Sequence, residues 1–192
     1  MIETQPAKLD PTIERTQRWL SRAVIGLNLC PFAKAVHAKG QIRYVASVAT
    51  TPEMLADELV RELELLAEAS AEQVDTTLLI HPYVLQDFLD FNDFLDVADG
   101  IVDELELDGI LQVASFHPQF QFENTEPDDI TNFSNRSPYP TLHLLREDSV
   151  ERAVDAFPDE QEIAATNIAT LEKLGHEGWH ALGLDEAALS AK

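Results

Sequence analysis

The stretch His176-Glu177-Gly178-Trp179-His180, continued as "ALGLDE" to Glu186, sets two histidines four positions apart around a glutamate. On one face of a helix that spacing can hold zinc between two imidazoles while the glutamate polarises a metal-bound water. Glu186 would be a third ligand. The setting argues against this chemistry. The motif follows Gly175, a helix-terminating residue, contains Gly178, and has only 12 residues after His180. Both methionines, Met1 and Met54, lie upstream, so no Met-turn follows. Trp179 and Leu182 read better as apolar pins that hold a C-terminal tail against the body. An HExxH-type zinc peptidase is therefore the minor reading.

A second constellation is more promising. The apolar runs "LLIHP" and "ASFHP" end at His81-Pro82 and His117-Pro118. Proline cannot donate to a β ladder, so each histidine is the last residue of its strand. In parallel strands both imidazoles reach the carboxyl edge of the sheet, where open α/β folds place their ligands. The later run "TLHLLRE" begins at that edge if it folds back antiparallel, and His143 is its third residue. His81, His117 and His143 could then ligate a divalent metal, or His117 and His143 could move protons. The plain alternative is that each histidine closes its strand with a hydrogen bond.

Basic residues are scarce enough to be informative. There are 13 lysines and arginines against 35 acids, a net charge of −22. Arg136 is flanked by Asn132, Asn135 and Ser137, and Arg146 follows on the adjoining strand. Asn135, Arg136 and Arg146 are thus candidates to hold a carboxylate or phosphate. The competing reading pairs the arginines with Asp128, Asp129 or Glu147. The polar segment carrying them, "QFQFENTEPDDITNFSNRSPYP", exceeds the roughly 12–15 residues usual for a connection without structure, which points to a functional loop or lid.

The one cysteine, Cys30, lies in "CPFAK". As N-cap of a short helix beginning at Pro31, its thiolate would be favoured by the helix dipole and Lys34, making a nucleophile or redox sensor. Equally, it ends an apolar run and could be buried and inert. Because it precedes the first strand, a parallel sheet puts it at the edge opposite His81 and His117. Asp87, Asp90, Asp93, Asp96 and Asp99 recur at every third position without the order of a calcium loop, and read as a solvated helix face.

The elements that must position these groups follow from capping and periodicity. Asp10 and Pro11 open a helix over 11–29, with Ile13, Trp19, Leu20, Val24 and Leu27 facing inward. A strand over 41–49 precedes a Thr51-capped helix. Strands ending at His81 and His117 flank a helix weakened by Gly100. After the fourth strand come helices near 149–156 and 159–174, the latter closed by Gly175. The pattern predicts one α/β domain over 1–192: a sandwich with a mixed, mostly parallel sheet of about four strands. Residues 1–10 form a flexible N-terminus and 176–192 a C-terminal tail.

Composition narrows the functions. The acidic balance disfavours nucleic acid and anionic lipid. No apolar run approaches the roughly 20 residues of a membrane span. The first 20 residues lack a signal-peptide pattern, and a single cysteine suits a reducing cytosol. Oligomeric state is not legible.

Taken together, "NLCPFAKA", the paired strand-end "HP" and "TNFSNRSPYPTLHLLRE" resemble the domain-of-unknown-function family numbered 1415, over roughly 11–180. The resemblance implies a stand-alone bacterial cytoplasmic domain and no particular activity. Cys30, Pro31, Asn135, Arg136, His143 and Arg146 lie in the segments that carry it. Two readings of function result. The first is a cytosolic enzyme acting on a small anionic molecule in a His/Arg pocket at the carboxyl edge, with a divalent metal as its possible cofactor. The second is a non-catalytic acidic binding or regulatory module, marked by exposure of Phe88, Phe91 and Phe94.

Overall fold

The computed structural model describes residues 10–156 and 160–184. The expected flexible segment 1–10, Asp10 apart, lies outside those residues, as does Glu186. Helix α1 (Pro11–Trp19) starts where its capping chemistry dictates: the Asp10 carboxylate accepts from the Thr12 amide at 2.7 Å, and Pro11 fills the first turn. The helix then widens into a π-helical stretch, Leu20–Ile25, rather than running on to 29. That stretch buries Leu20, Ala23 and Val24.

Helix α2 (Ala33–Ala38) leads to strand β1 (Ile42–Ala46). Helix α3 (Pro52–Glu68) is capped by Thr51, whose hydroxyl accepts from the Met54 amide at 3.3 Å. Its stripe of Leu55, Leu59, Leu63 and Leu66 is wholly buried. Strand β2 (Thr76–Ile80) is followed by α4 (Phe88–Glu104), capped by Asp87 through the amides of Leu89 and Asp90. Gly100 does not interrupt α4, and Asp90, Asp93, Asp96 and Asp99 are exposed along it, as a solvated face requires. Strand β3 (Leu111–Phe116), a 3₁₀ turn at Ile130–Ser134 and strand β4 (Thr141–Arg146) complete the sheet. Helices α5 (Glu147–Ala156) and α6 (Glu160–Ala181) follow, and α6 breaks at Gly175 (φ 63°), a left-handed conformation suited to glycine.

The strand order is β1-β2-β4-β3. This corrects the expected mostly parallel sheet: only β1–β2 pair parallel, while β4 pairs antiparallel with both β2 and β3. The reason is that β4 folds back into the gap between β2 and β3 instead of adding at an edge. Its Leu142 and Leu144 are fully buried, and a strand buried in this way needs a ladder on each side.

Strand alternation sends side chains to two apolar clusters on opposite faces. Leu79, Leu111, Leu142 and Leu144 join the α3–α4 cluster with Phe91 and Phe94. Ile42, Tyr44 and Phe116 pack instead against Trp19, Val24, Leu171 and Trp179 from the α1–α6 side. No helix among the described residues is long and apolar enough to cross a membrane.

Candidate functional site

His81 and His117 do sit at one sheet edge, each just beyond its strand. The His81 amide donates to the Pro140 carbonyl at 3.0 Å and the His117 amide to the Asn135 carbonyl at 3.2 Å. Both imidazoles lie on the α3–α4 face, against Phe91: ring centroids are 5.5 Å apart for His81–Phe91 and 5.1 Å for His117–Phe91. His81 Nδ1 lies 3.0 Å from the Val84 carbonyl, so that nitrogen carries the proton, and Nε2 is buried with no hydrogen-bond partner. In His117 the roles reverse. Nε2 donates to the Leu85 carbonyl at 3.2 Å, while Nδ1 accepts from the Gln119 amide at 3.0 Å.

Burial favours the neutral ring in both residues. It lowers His81 to about 4, against the opposing hydrogen bond to Val84, with a small further push from His117. His117 is lowered for the same reason, partly offset by its bond to Leu85 and by Asp87.

His143 is not with them. It pairs with Leu78 and Ala114 in the middle of β4, and strand alternation turns its ring to the opposite face of the sheet, beside Phe116 at 5.6 Å. The expected three-histidine ligand set is therefore not assembled. Among the described residues no group of three or more His, Cys, Asp or Glu side chains is placed to hold a metal ion. The register fixes this parity: His143 is two residues beyond Thr141, whose partners Ile80 and Phe116 immediately precede the two strand-end histidines.

What His143 does share is a cavity of about 340 Å³ with Cys30, lined also by Trp19, Val36, Leu78 and Val150. Cys30, expected at the far edge from His81 and His117, is instead brought beside His143, because the segment before β1 packs across that face of the sheet. Burial also lowers His143 to about 4. Cys30 is not an N-cap, because α2 begins only at Ala33 with Phe32 before it. Cys30 lies in the preceding turn, its carbonyl accepting from the Ala33 amide at 3.3 Å.

The arginines divide. Arg146 is committed to structure: Nη2 donates to the carbonyls of Leu66 and Ala69, both at 2.6 Å, and Nε to that of Val74 at 3.2 Å. These include carbonyls that the C-terminus of α3 leaves unpaired, and a cation also suits that end of the helix dipole. Arg146 closes β4 at the end away from His81, so it cannot serve the carboxyl-edge pocket expected for it.

Arg136 lies over the Phe133 ring, 4.4 Å from its centroid, and donates from Nε to the Phe120 carbonyl at 3.1 Å and from Nη2 to that of Pro127. Burial lowers its pKa, and Asp128 opposes that shift. Asn135 Oδ1 accepts from Ser134 at 3.0 Å.

The 119–139 segment is thus a packed loop. Its buried Asn132 accepts from the Phe122 amide and the Thr125 hydroxyl, each at 2.9 Å, and donates to the Glu126 carbonyl at 2.9 Å. Beneath it lies a second cavity, about 210 Å³, lined by Arg15, Arg136, Trp19, Ser137, Pro138 and Trp179, among others. Arg15 escaped sequence reasoning. The available signal was its spacing of four from Trp19, which puts both on one side of α1.

The remaining motifs resolve plainly. His176, Glu177 and His180 are exposed, whereas Trp179 is buried and meets Phe133 edge to face at 5.1 Å. Arg22 fastens the turn after α6 by donating to the Leu182 carbonyl at 2.7 Å. Phe91 and Phe94 are buried and Phe88 packs against the same core, so the aromatic patch expected of a partner-binding module is absent from this surface.

No curated protein and no solved structure matches the chain. The model of one family, described as a protein of unknown function (DUF1415), matches residues 11–181, a span that takes in every described element from α1 to the end of α6 and all of the cavity linings but Leu184. The chain belongs to that family.

Proposed function

We propose that the protein binds a small anion, a carboxylate or phosphate, in the cavity lined by Arg15 and Arg136. The observation that carries this reading is the presence of two guanidinium side chains, one from α1 and one from the loop, in the lining of one cavity on a chain of net charge −22. Guanidinium groups match the planar, multiply accepting geometry of such anions. The bonds of Arg136 to the loop use Nε and Nη2. An arginine has five N–H donors, so Nη1 is still available to a ligand. Ser137 and the two tryptophans give the cavity a polar contact and apolar walls, the mixture expected of a small-molecule site.

The reading favours recognition over reaction. His117 adjoins Pro118 at the cavity, but both its ring nitrogens are engaged, and an acid–base role would require those bonds to open. An enzyme acting on a small anion is the extended form of this proposal, with His117 as the group such a step would recruit. The single cysteine and the acidic surface suit a cytosolic setting.

Calorimetric titration of the full chain with inorganic phosphate and with malonate tests the proposal. At least one should bind, and Arg15→Gln should weaken it roughly ten- to a hundredfold, the range expected for loss of a charge-assisted pair. Equal binding by Arg15→Gln and the parent, or no binding of either anion, would overturn it.

A further inference from the structure

The larger cavity has a chemistry that the anion site lacks. It lies on the α1 side of the sheet, with Leu78, His143 and Phe116 in its floor and Trp19, Val36 and Val150 in its walls. Among the described residues no lysine or arginine is in its lining, and the one carboxylate there, Asp75, accepts from the Ser149 hydroxyl at 2.7 Å. A ligand anion would meet no countercharge there, so the lining selects a neutral molecule.

His143 supplies the polar feature at the middle of the sheet; Gln112 and Thr76, also in the lining, lie nearer the strand ends, and the Thr76 hydroxyl already donates to the Leu144 carbonyl. It stands on a central strand with a ladder on each side, so its ring can be reached only from the cavity face. It is incompletely buried, and among the described residues its ring nitrogens make no hydrogen bond; its ring contact is with Phe116. One nitrogen can donate and the other accept, so an imidazole in an apolar floor suits a ligand with a single hydroxyl.

We propose that this cavity is a second binding site, for a neutral, largely hydrocarbon molecule whose one hydroxyl group bonds to His143. At the packing density of protein interiors, about 340 Å³ corresponds to on the order of ten to fifteen non-hydrogen atoms. Cys30 lies in the same lining and is the chain's one thiol, so its modification reports occupancy.

The test uses 4-hexylphenol and hexylbenzene, which differ by the hydroxyl group, titrated calorimetrically into the full chain. The phenol should bind at least tenfold more tightly and slow modification of Cys30 by a thiol reagent. His143→Leu should reduce the phenol's advantage to less than twofold while hexylbenzene still binds. Ala153→Phe, which fills the cavity from α5, should abolish both. Equal affinity of the two probes for the parent chain, no binding of the phenol, or phenol binding that survives Ala153→Phe would each overturn the proposal. The Arg15→Gln variant should bind the phenol normally, so this site and the anion site can fail independently.

Discussion

Arg146, the last residue of β4, donates from Nη2 to the carbonyl of Leu66, 2.6 Å away in the last turn of α3. One side chain thereby ties the end of a central strand to the end of the helix that covers it. Arg146→Ala should destabilise the fold by about 2–4 kcal/mol, since it leaves several carbonyls without their charged donor. Arg146→Lys should recover only part of that, because an ammonium lacks the fork. Urea unfolding measures both. A neutral Arg146→Ala would mean that water serves these carbonyls equally well.

His81 and His117 should be opposite tautomers. Val84 accepts from Nδ1 of the first and Leu85 from Nε2 of the second. Long-range ¹⁵N–¹³C correlation spectra of the imidazoles at neutral pH should show Nδ1–H for His81 and Nε2–H for His117. The same tautomer in both would contradict the arrangement around Phe91.

The buried histidines predict a sign for acid stability. His81 and His143 are each lowered from 6.5 to about 4 by burial, so the folded chain holds them neutral. Their contribution is complete above the unfolded value of 6.5 and is lost as pH falls from there toward 4. Comparison with His143→Leu isolates one ring from the protonation of the many carboxylates. The parent's stability relative to that variant should fall by about 1 kcal/mol per pH unit below 6.5. A difference that stays constant between pH 7 and 5 would show that His143 is not held neutral.

The tail should depend on its tryptophan and not on its histidines. Trp179→Ala removes a buried ring packed on Phe133 and should cost about 3 kcal/mol. His180→Ala changes an exposed side chain and should stay within about 0.5 kcal/mol. Thermal unfolding separates these outcomes. A large loss from His180→Ala would return the HExxH spelling to consideration.

Much of the scaffold was legible because it rests on local chemistry. Asp10 and Thr51 each cap a helix through a side-chain oxygen and a nearby amide, as their spacing predicts, whereas Asp87, grouped by periodicity with a solvated face, proves to be a third cap. Pro82 and Pro118 end strands because they lack an N–H, and Gly175 breaks a helix because its φ is positive. The four strands and the return of β4 from the His81–His117 edge followed from the same signals. The π-helical turn at Leu20–Ile25 did not, since it keeps the apolar spacing of an ordinary helix.

The sequence by itself determined where chain elements begin and end, which residues are polar enough to matter, and that so acidic a chain has few cations to offer a ligand. Only the tertiary structure decided which of those residues meet. Inserting β4 between β2 and β3 set the parity that turns His143 away from His81 and His117 and toward Cys30. Packing of the loop against α1 brought Arg136 into one cavity with Arg15, while Arg146 was drawn to the carbonyls of α3. These juxtapositions join residues distant in sequence. They arise from competition for burial and hydrogen bonds, which local spacing does not encode.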